Sequence, residues 1–345
     1  MSGIPASQID GLVAFTQEKL IKRGAFTNLM TDLSDFVAIR EIWENRQKKF
    51  DGGLDWRFDA ITDQNHSARV VGLYETDGSN IVDAQVSGKV GPRYVNAHYT
   101  YDVREPALQG NEIMVVDYVM SKYVRMMQSF YELLEDILWS KPTDSTDLLT
   151  PFGVAYWITK SAKEGFYGVD PTGFTDGRAG ISSTTYPRWA NWTAQYVSVS
   201  KSDLIKKMRK AHQRTKFRSP MTVNEPKLGS MKNGIYGPGD VLLDVASILE
   251  QNNMSLGSDM ASQDGRAVFK GTPLTYVPKL DDDSTDPVYM IDWNWMAVGV
   301  VDGWEQNLSK PMVVPSKHTV RRVDLDASLN MVCSNLRRQA VFSKA

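Results

Sequence analysis

One stretch limits the fold more than any other. From residue 113 to residue 137, apolar or aromatic side chains recur at Ile113, Val116, Met120, Tyr123, Met127, Phe130, Leu134 and Ile137, always three or four positions apart. That spacing puts all eight on one stripe of a helix. Asp117, Lys122, Arg125, Glu132, Glu135 and Asp136 fall off the stripe. Asn111 is placed to cap the start, and Pro142 follows the end. The predicted helix has about 28 residues, roughly 42 Å at 1.5 Å per residue. A rod of that length must lay one whole side on other structure. Its Met and Tyr residues are read as core packing rather than as a cofactor box.

The residues before this helix have a different texture. Arg69 to Tyr74 and Ile81 to Val86 read as strands around a hairpin turn at Asp77-Gly78. Arg93 to Val103 continues the β pattern. Few large aliphatic residues occur between Asp51 and Glu105, so this long hairpin needs a partner surface. Nearer the start, Ser7 opens a short one-sided helix ending at Gly24, with Ile9, Leu12, Val13, Leu20 and Ile21 on one side. Two surfaces suit that side: the chain's own core or a neighbouring subunit.

After the long helix, residues 143–199 read as irregular strands and turns rich in aromatics, among them Tyr156, Trp157, Tyr186 and Trp189. Sugar stacking is one use for such rings; buried packing explains them more simply. A second helix starts at Ser200 with Leu204, Ile205, Met208 and Ala211 inward. A third runs from Asp240 to about Gln251, with Leu242, Val245, Ala246 and Leu249 inward. The last third returns to β: Val288 to Trp295, Ala297 to Val301, a strand near Met331-Val332-Cys333 and a final one at Ala340-Val341-Phe342.

Composition excludes several functional classes. The 345 residues are 42% hydrophobic and 23% charged, which suits a folded chain. The formal net charge is −2, so a globally basic nucleic-acid binder is excluded, though a local patch is not. The single cysteine, Cys333, allows neither an internal disulfide nor a multi-cysteine metal site and reads as a buried inert thiol. Neither a signal-peptide core nor a membrane-spanning run appears, so no membrane partner is expected and synthesis is read as cytoplasmic. The four Asn-x-Ser/Thr tripeptides are therefore read as chance matches. The sequence lacks a P-loop, a Gly-x-Gly-x-x-Gly turn, a Gly-x-Ser-x-Gly elbow and a His-Glu-x-x-His pair. Asp281, Asp283 and Asp292 can be laid on a calcium loop, but Asp286 stands where its glycine belongs, so that reading is rejected. No catalytic, cofactor-binding or metal-ligating residue is assigned.

Charge is nevertheless segregated. Residues 201–218 carry eight Lys or Arg and one acid, Asp203. Residues 280–309 carry seven acids and no Lys or Arg. Either these are two solvated faces, or they meet within one subunit or between subunits. Candidate intersubunit contacts are Lys206, Lys207, Arg209, Lys210 and Arg214 on the basic side and Asp281, Asp282, Asp283 and Asp286 on the acidic side. The basic helix facing packaged DNA is the competing arrangement.

The order of parts carries a resemblance. An arm helix, a polar β-hairpin, a long one-sided helix, an irregular region with shorter helices and a closing β segment follow one another. Ile113 to Trp139 looks like a spine helix with an extended loop just before it. Lys201 to Thr215 looks like a following helix, and residues 269–278 resemble a Gly-x-Pro segment leading into an apolar hairpin. Leu329 to Phe342, with Cys333 and Arg337-Arg338, resembles closing peripheral strands. The whole resembles the major capsid proteins of tailed bacteriophages of the Hong Kong ninety-seven type.

The resemblance implies an α+β fold with an N-terminal arm at 1–50 and an extended loop at 51–109. It places the spine helix and peripheral domain at 110–142, an axial domain with associated strands at 143–310, and a C-terminal return to the peripheral domain at 311–345. It implies a non-enzymatic subunit, without cofactor, that assembles with itself as pentamers and hexamers into an icosahedral shell around double-stranded DNA. Expected partners are a portal, a separate scaffolding protein and, in some particles, a decoration protein. The scaffold is expected to be separate because no large extension precedes the arm. The expected location is the virion, after assembly in the host cytoplasm. An encapsulin shell, a gene-transfer particle and, from a different class, a carbohydrate-active enzyme are the rivals.

Overall fold

A computed structural model describes residues 36–43, 47–50, 53, 55–62, 70, 73, 85–105, 112–217, 233–253 and 268–345. The long helix is present as α1, Glu112–Trp139, with 28 residues. On the stripe, Tyr123, Met127, Phe130 and Leu134 are buried, while Met120 and Ile137 are half-buried. The buried side is wider than the stripe and takes in Val119, Met126, Leu138 and Trp139. Glu135 corrects the sequence reading: it belongs to the buried side. Its carboxylate accepts the Ala38 backbone N–H at 2.8 Å and the Trp139 indole N–H at 2.9 Å. A buried carboxylate needs such donors in place of water. Glu135 thereby ties α1 to the π-helical turn Ala38–Trp43, whose Trp43 meets Phe130 edge-on.

The strands follow as β1 (Gln47–Phe50), β2 (Trp56–Ile61), β3 (Gln85–Val90) and β4 (Arg93–Asp102). After α1 come the single turn α2 (Val154–Trp157), β5 (Gly165–Gly168), β6 (Asn191–Tyr196) and α3 (Leu204–Arg214). Then come β7 (Asn233–Gly237), α4 (Gly239–Asn253), β8 (Val268–Phe269) and β9 (Thr272–Tyr276). The chain closes with β10 (Val288–Asp292), β11 (Met296–Val301), β12 (Asn307–Leu308), β13 (Met312–Val314), β14 (Lys317–Cys333) and β15 (Ala340–Lys344).

Two sheets form the frame. The axis of the first is β14, a strand of 17 residues. Along one side it pairs with β4, from Val320 opposite Asp102 to Leu329 opposite Arg93. Along the other side lie β13, β12 and β11, and β1 adds in parallel beyond β11. Val323, Leu325, Ala327, Leu329, Met331 and Cys333 alternate along β14 and are all buried, as period two requires of one covered face. They share a core with the inner side of α1. The second sheet has the order β5-β6-β15-β10-β7-β9-β8. Leu204, Met208 and Ala211 of α3 and Val241 and Val245 of α4 pack on it, against Trp192, Ile235, Met290 and Phe342.

The chain crosses between the sheets side by side, from β10 to β11 and from β14 to β15. Gln339 clasps the two crossings: its Oε1 accepts the Asp292 N–H at 2.8 Å, and its Nε2 donates to the Asp292 carbonyl at 3.0 Å. Trp139, at the end of α1, packs on Tyr236 and Tyr289 of the second sheet, so the helix touches both. Gly153 lies where any Cβ would run into the carbonyls of Ile137 and Leu138 at the end of α1 and of Ser140 just after it.

Several expectations change in detail. β2 had no counterpart in the sequence reading; it pairs with β3, so the described hairpin stem is Trp56–Ile61 against Gln85–Val90. The predicted turn at Asp77-Gly78, the helix at 7–24 and the cap at Asn111 lie outside the described residues. α3 has all four predicted inward residues buried, but it begins at Leu204 rather than Ser200. In α4, Val241 and Val245 are the buried pair and Leu242 is only half-buried. The aromatics of 143–199 are largely core: Tyr156, Trp157, Trp189 and Trp192 are buried. The sheets also divide differently from the expected segments. β11 and β12, within 143–310, belong to the first sheet, and β15, within 311–345, belongs to the second.

Candidate assembly surfaces

The basic residues of α3 separate into two groups. Lys207 donates to Asp203 one turn earlier and to the Gln195 carbonyl, each at 2.5 Å. Lys210 pairs with Glu164 at 2.5 Å. Lys206, Arg209 and Arg214 are exposed and make no ion pair among the described residues. Inward apolar residues every three or four positions leave these three on the solvent side.

The acidic residues are engaged within the chain. Asp281 accepts the Gly239 N–H at 2.9 Å and the Tyr276 hydroxyl at 2.7 Å, so it helps to start α4. Asp282 pairs with Lys279 at 3.2 Å. Asp283 holds the Lys160 ammonium and accepts the Thr285 N–H at 3.1 Å. Burial disfavours its charge, but Lys160 and Thr285 outweigh that and hold its carboxyl below the usual range. Asp286 pairs with Lys344 at 2.8 Å. None of the nine sequence-predicted charges pairs with another of the nine inside one chain. The acids brace the turn between β9 and β10.

Other surfaces stay open. Ile61 at the end of the hairpin stem is 82% exposed, and Val70 and Leu73 beyond it are exposed as well. Tyr94, Leu148 and Leu149 are exposed as well, and Arg93 donates to the Leu148 carbonyl. Ile61 sits between buried Ala60 and Thr62, so it lies on the outer face of a stem whose inner face is packed on the core.

Sequence reasoning missed Arg178. It is wholly buried and donates to the carbonyls of Trp157 at 2.6 Å, Val169 at 2.8 Å and Gly168, and to Asn191 Oδ1 at 3.2 Å. It thus binds α2, β5 and β6 into one block. Burial, only partly offset by Asp170, pulls its pKa down to about 10, so it stays charged at neutral pH. Its partners are main-chain oxygens from distant segments, and no side-chain pattern signals them. Cys333 is buried, and burial pushes its thiol up to about 12, as expected of an inert cysteine. Among the described residues no three His, Cys, Asp or Glu side chains gather as a metal set, and no helix is long and apolar enough to cross a membrane.

No family model matches the chain, and no curated protein does. Solved structures match over nearly its whole length. The capsid of a native GTA particle aligns with 90% of this chain and 90% of its own, at 9% identity and a TM-score of 0.52. The cyanophage Pam1 capsid covers 88% of this chain and 93% of its own, at 12% identity and a TM-score of 0.52. The capsid of the empty GTA particle covers 90% of each at 10% identity, with a TM-score of 0.50. At such identities the likeness is one of fold: the chain has the α+β fold of these capsid proteins, the Hong Kong ninety-seven type.

Proposed function

We propose that this protein is a major capsid protein: a structural, non-enzymatic subunit that assembles with itself, as pentamers and hexamers, into an icosahedral shell around double-stranded DNA. The observation that carries the proposal is a capsid fold matched over about 90% of both chains. It is supported by the exposed apolar side chains of Ile61, Val70 and Leu73, which no described residue covers. Ordering such parts is favourable only when neighbours cover them. In this reading α1 is the spine helix, the first sheet belongs to the peripheral domain, the second sheet to the axial domain, and β2–β3 is the base of the extended loop. The virion is its location, after assembly in the host cytoplasm. A portal, a scaffolding protein and, in some particles, a decoration protein are the partners this reading adds.

The charged helix keeps a narrower role. Lys206, Arg209 and Arg214 are the groups left for a neighbour or for DNA phosphates, since the acids near residue 283 already have partners. Electron microscopy of the purified protein tests the main proposal. Closed shells are expected; a monomer that never forms capsomers or shells under any assembly condition, with or without scaffold, overturns it. Reversing Lys206, Arg209 and Arg214 to Glu separates the two roles of α3: loss of empty shells points to neighbours, and loss of DNA retention alone points to phosphates.

A further inference from the structure

β4 is an edge of the first sheet, and one side of it is open. Among the described strands it pairs with β14 alone. Just past its end, the Val103 N–H donates to the Thr319 carbonyl at 2.9 Å and fixes the alternation. Odd-numbered residues of β4 turn their backbone groups to β14, and even-numbered ones turn theirs away. The outward positions are therefore Tyr94, Asn96, His98 and Thr100, and all four residues are exposed. Among the described residues only the Thr100 carbonyl of this row is engaged, accepting from Lys122 Nζ at 3.0 Å. From Tyr94 to Thr100 the row is roughly 20 Å long at about 3.3 Å per residue. Free N–H and carbonyl groups in such a row are what an added strand pairs with.

A ledge runs beside this row. Arg125, Ser129 and Leu133, on successive turns of α1, line one groove with Ala97, His98 and Tyr99. Arg125 is exposed and has no ion pair among the described residues, and Leu133 is 42% exposed. No acid among the described residues lines the groove. A strand laid on β4 puts alternate side chains over this ledge. Arg125 and Leu133 are about 12 Å apart along the helix, a distance that four strand residues span at about 13 Å. The fitting strand thus carries an acid and, four positions away on the same face, an apolar residue, while a basic strand is repelled. The described edge strands of a second copy do not offer that acid. β1, β3, β5, β8, β12 and β13 contain no Asp or Glu, and Asp59 of β2 already accepts the Ser87 hydroxyl. We infer that the open side of β4 accepts one added strand from a different protein, an extended segment with an acidic side chain on Arg125 and an apolar one on Leu133. The inference does not rest on the shell reading.

The probe that tests it is a capped peptide, Thr-Glu-Thr-Ser-Thr-Val-Thr, and its control carries Lys in place of Glu. Amide exchange at Tyr94, Asn96 and His98 is read by NMR in the unassembled subunit. About tenfold slowing is expected with the acidic peptide and none with the basic one, while the Val95 and Ala97 amides, already bonded to β14, stay unchanged. Arg125→Glu is expected to exchange the roles of the two peptides, so that only the basic one slows exchange. Arg125 is exposed, so this variant keeps the fold. Slowing by neither peptide, equal slowing by both, or an Arg125→Glu variant that responds like wild type overturns the inference. Protection of these amides in the free subunit overturns it too, because the edge is then already covered. So does protection in assemblies of this chain alone, which assigns the edge to a second copy.

Discussion

Replacing Glu135 asks how firmly the segment before β1 is fixed to the long helix. Its carboxylate serves two buried donors, the Ala38 N–H at 2.8 Å and the Trp139 indole N–H at 2.9 Å. Hydrogen bonds to a charged acceptor contribute about 1.5–3 kcal/mol each, and a buried donor left orphaned costs about 1–3 kcal/mol. Glu135→Ala strands both donors and opens space beside Trp139, so a loss of about 3–5 kcal/mol is expected. Glu135→Gln keeps one oxygen and turns an NH₂ group toward the other donor; about 2–3 kcal/mol is expected from one lost bond and its orphan. Glu132 is the control, because it is exposed and touches only Gln128 at 3.2 Å among the described residues. Glu132→Gln is expected to stay within about 0.5 kcal/mol of wild type. Urea unfolding of unassembled subunit at fixed concentration reads the global term, and exchange at the Ala38 amide reads the local one. If Glu135→Gln unfolds with wild-type stability and the Ala38 amide exchanges no faster, the carboxylate is not what holds this segment and the reasoning fails.

Three further outcomes are expected. Arg178→Lys cannot reach carbonyls on three segments with one ammonium, so it is expected to destabilise nearly as much as Arg178→Met, by about 3–5 kcal/mol; a Lys variant within about 1 kcal/mol of wild type in urea unfolding refutes the bracing role. Cys333 is expected to resist a thiol reagent at pH 8 in native subunit and to react at once in urea; fast native labelling contradicts a thiol held near 12 by burial. Because the folded pKa of Asp283 lies below the unfolded value of about 3.9, its stabilisation is present above about pH 4 and lost as pH falls through the folded value. Asp283→Asn is therefore expected to flatten the acid limb of unfolding midpoint against pH, and an unchanged slope rules that contribution out.

What the chain discloses of its own fold follows the physics of each signal. α1 was legible because 28 residues on one period average out local noise, and its bounds came through to within a residue. Only the end of β14, near Met331-Val332-Cys333, was legible, although Val323, Leu325, Ala327, Leu329, Met331 and Cys333 keep strict alternation. Arg321, Arg322, Asp324 and Asp326 sit among them, and the run looks polar until the strand is known to be paired on both sides. Its charges find local partners, as when Arg322 Nη2 meets Asp324 at 2.6 Å. The charge segregation was real in sequence but did not foretell partners. Short-range pairs such as Asp203 with Lys207 are visible at helical spacing; Asp283 with Lys160 needs the tertiary fold. Nothing local says that Arg188 and Arg337, 149 positions apart, line one cavity.

The place of β15 has a consequence for how the protein is made. This strand, residues 340–344, is not at an edge: β6 lies on one side of it and β10 on the other. A ribosome adding about 5–20 residues per second needs roughly 7–30 s to travel from the end of β6 to the start of β15. Through that interval β6 has an unpaired edge, and once residue 292 is made β10 adds a second piece with an unpaired edge of its own. Such edges recruit strands from other chains. Many nascent copies growing close together on one message would each pass through this interval, and the hazard ends for each only when its own 340–344 has left the exit tunnel.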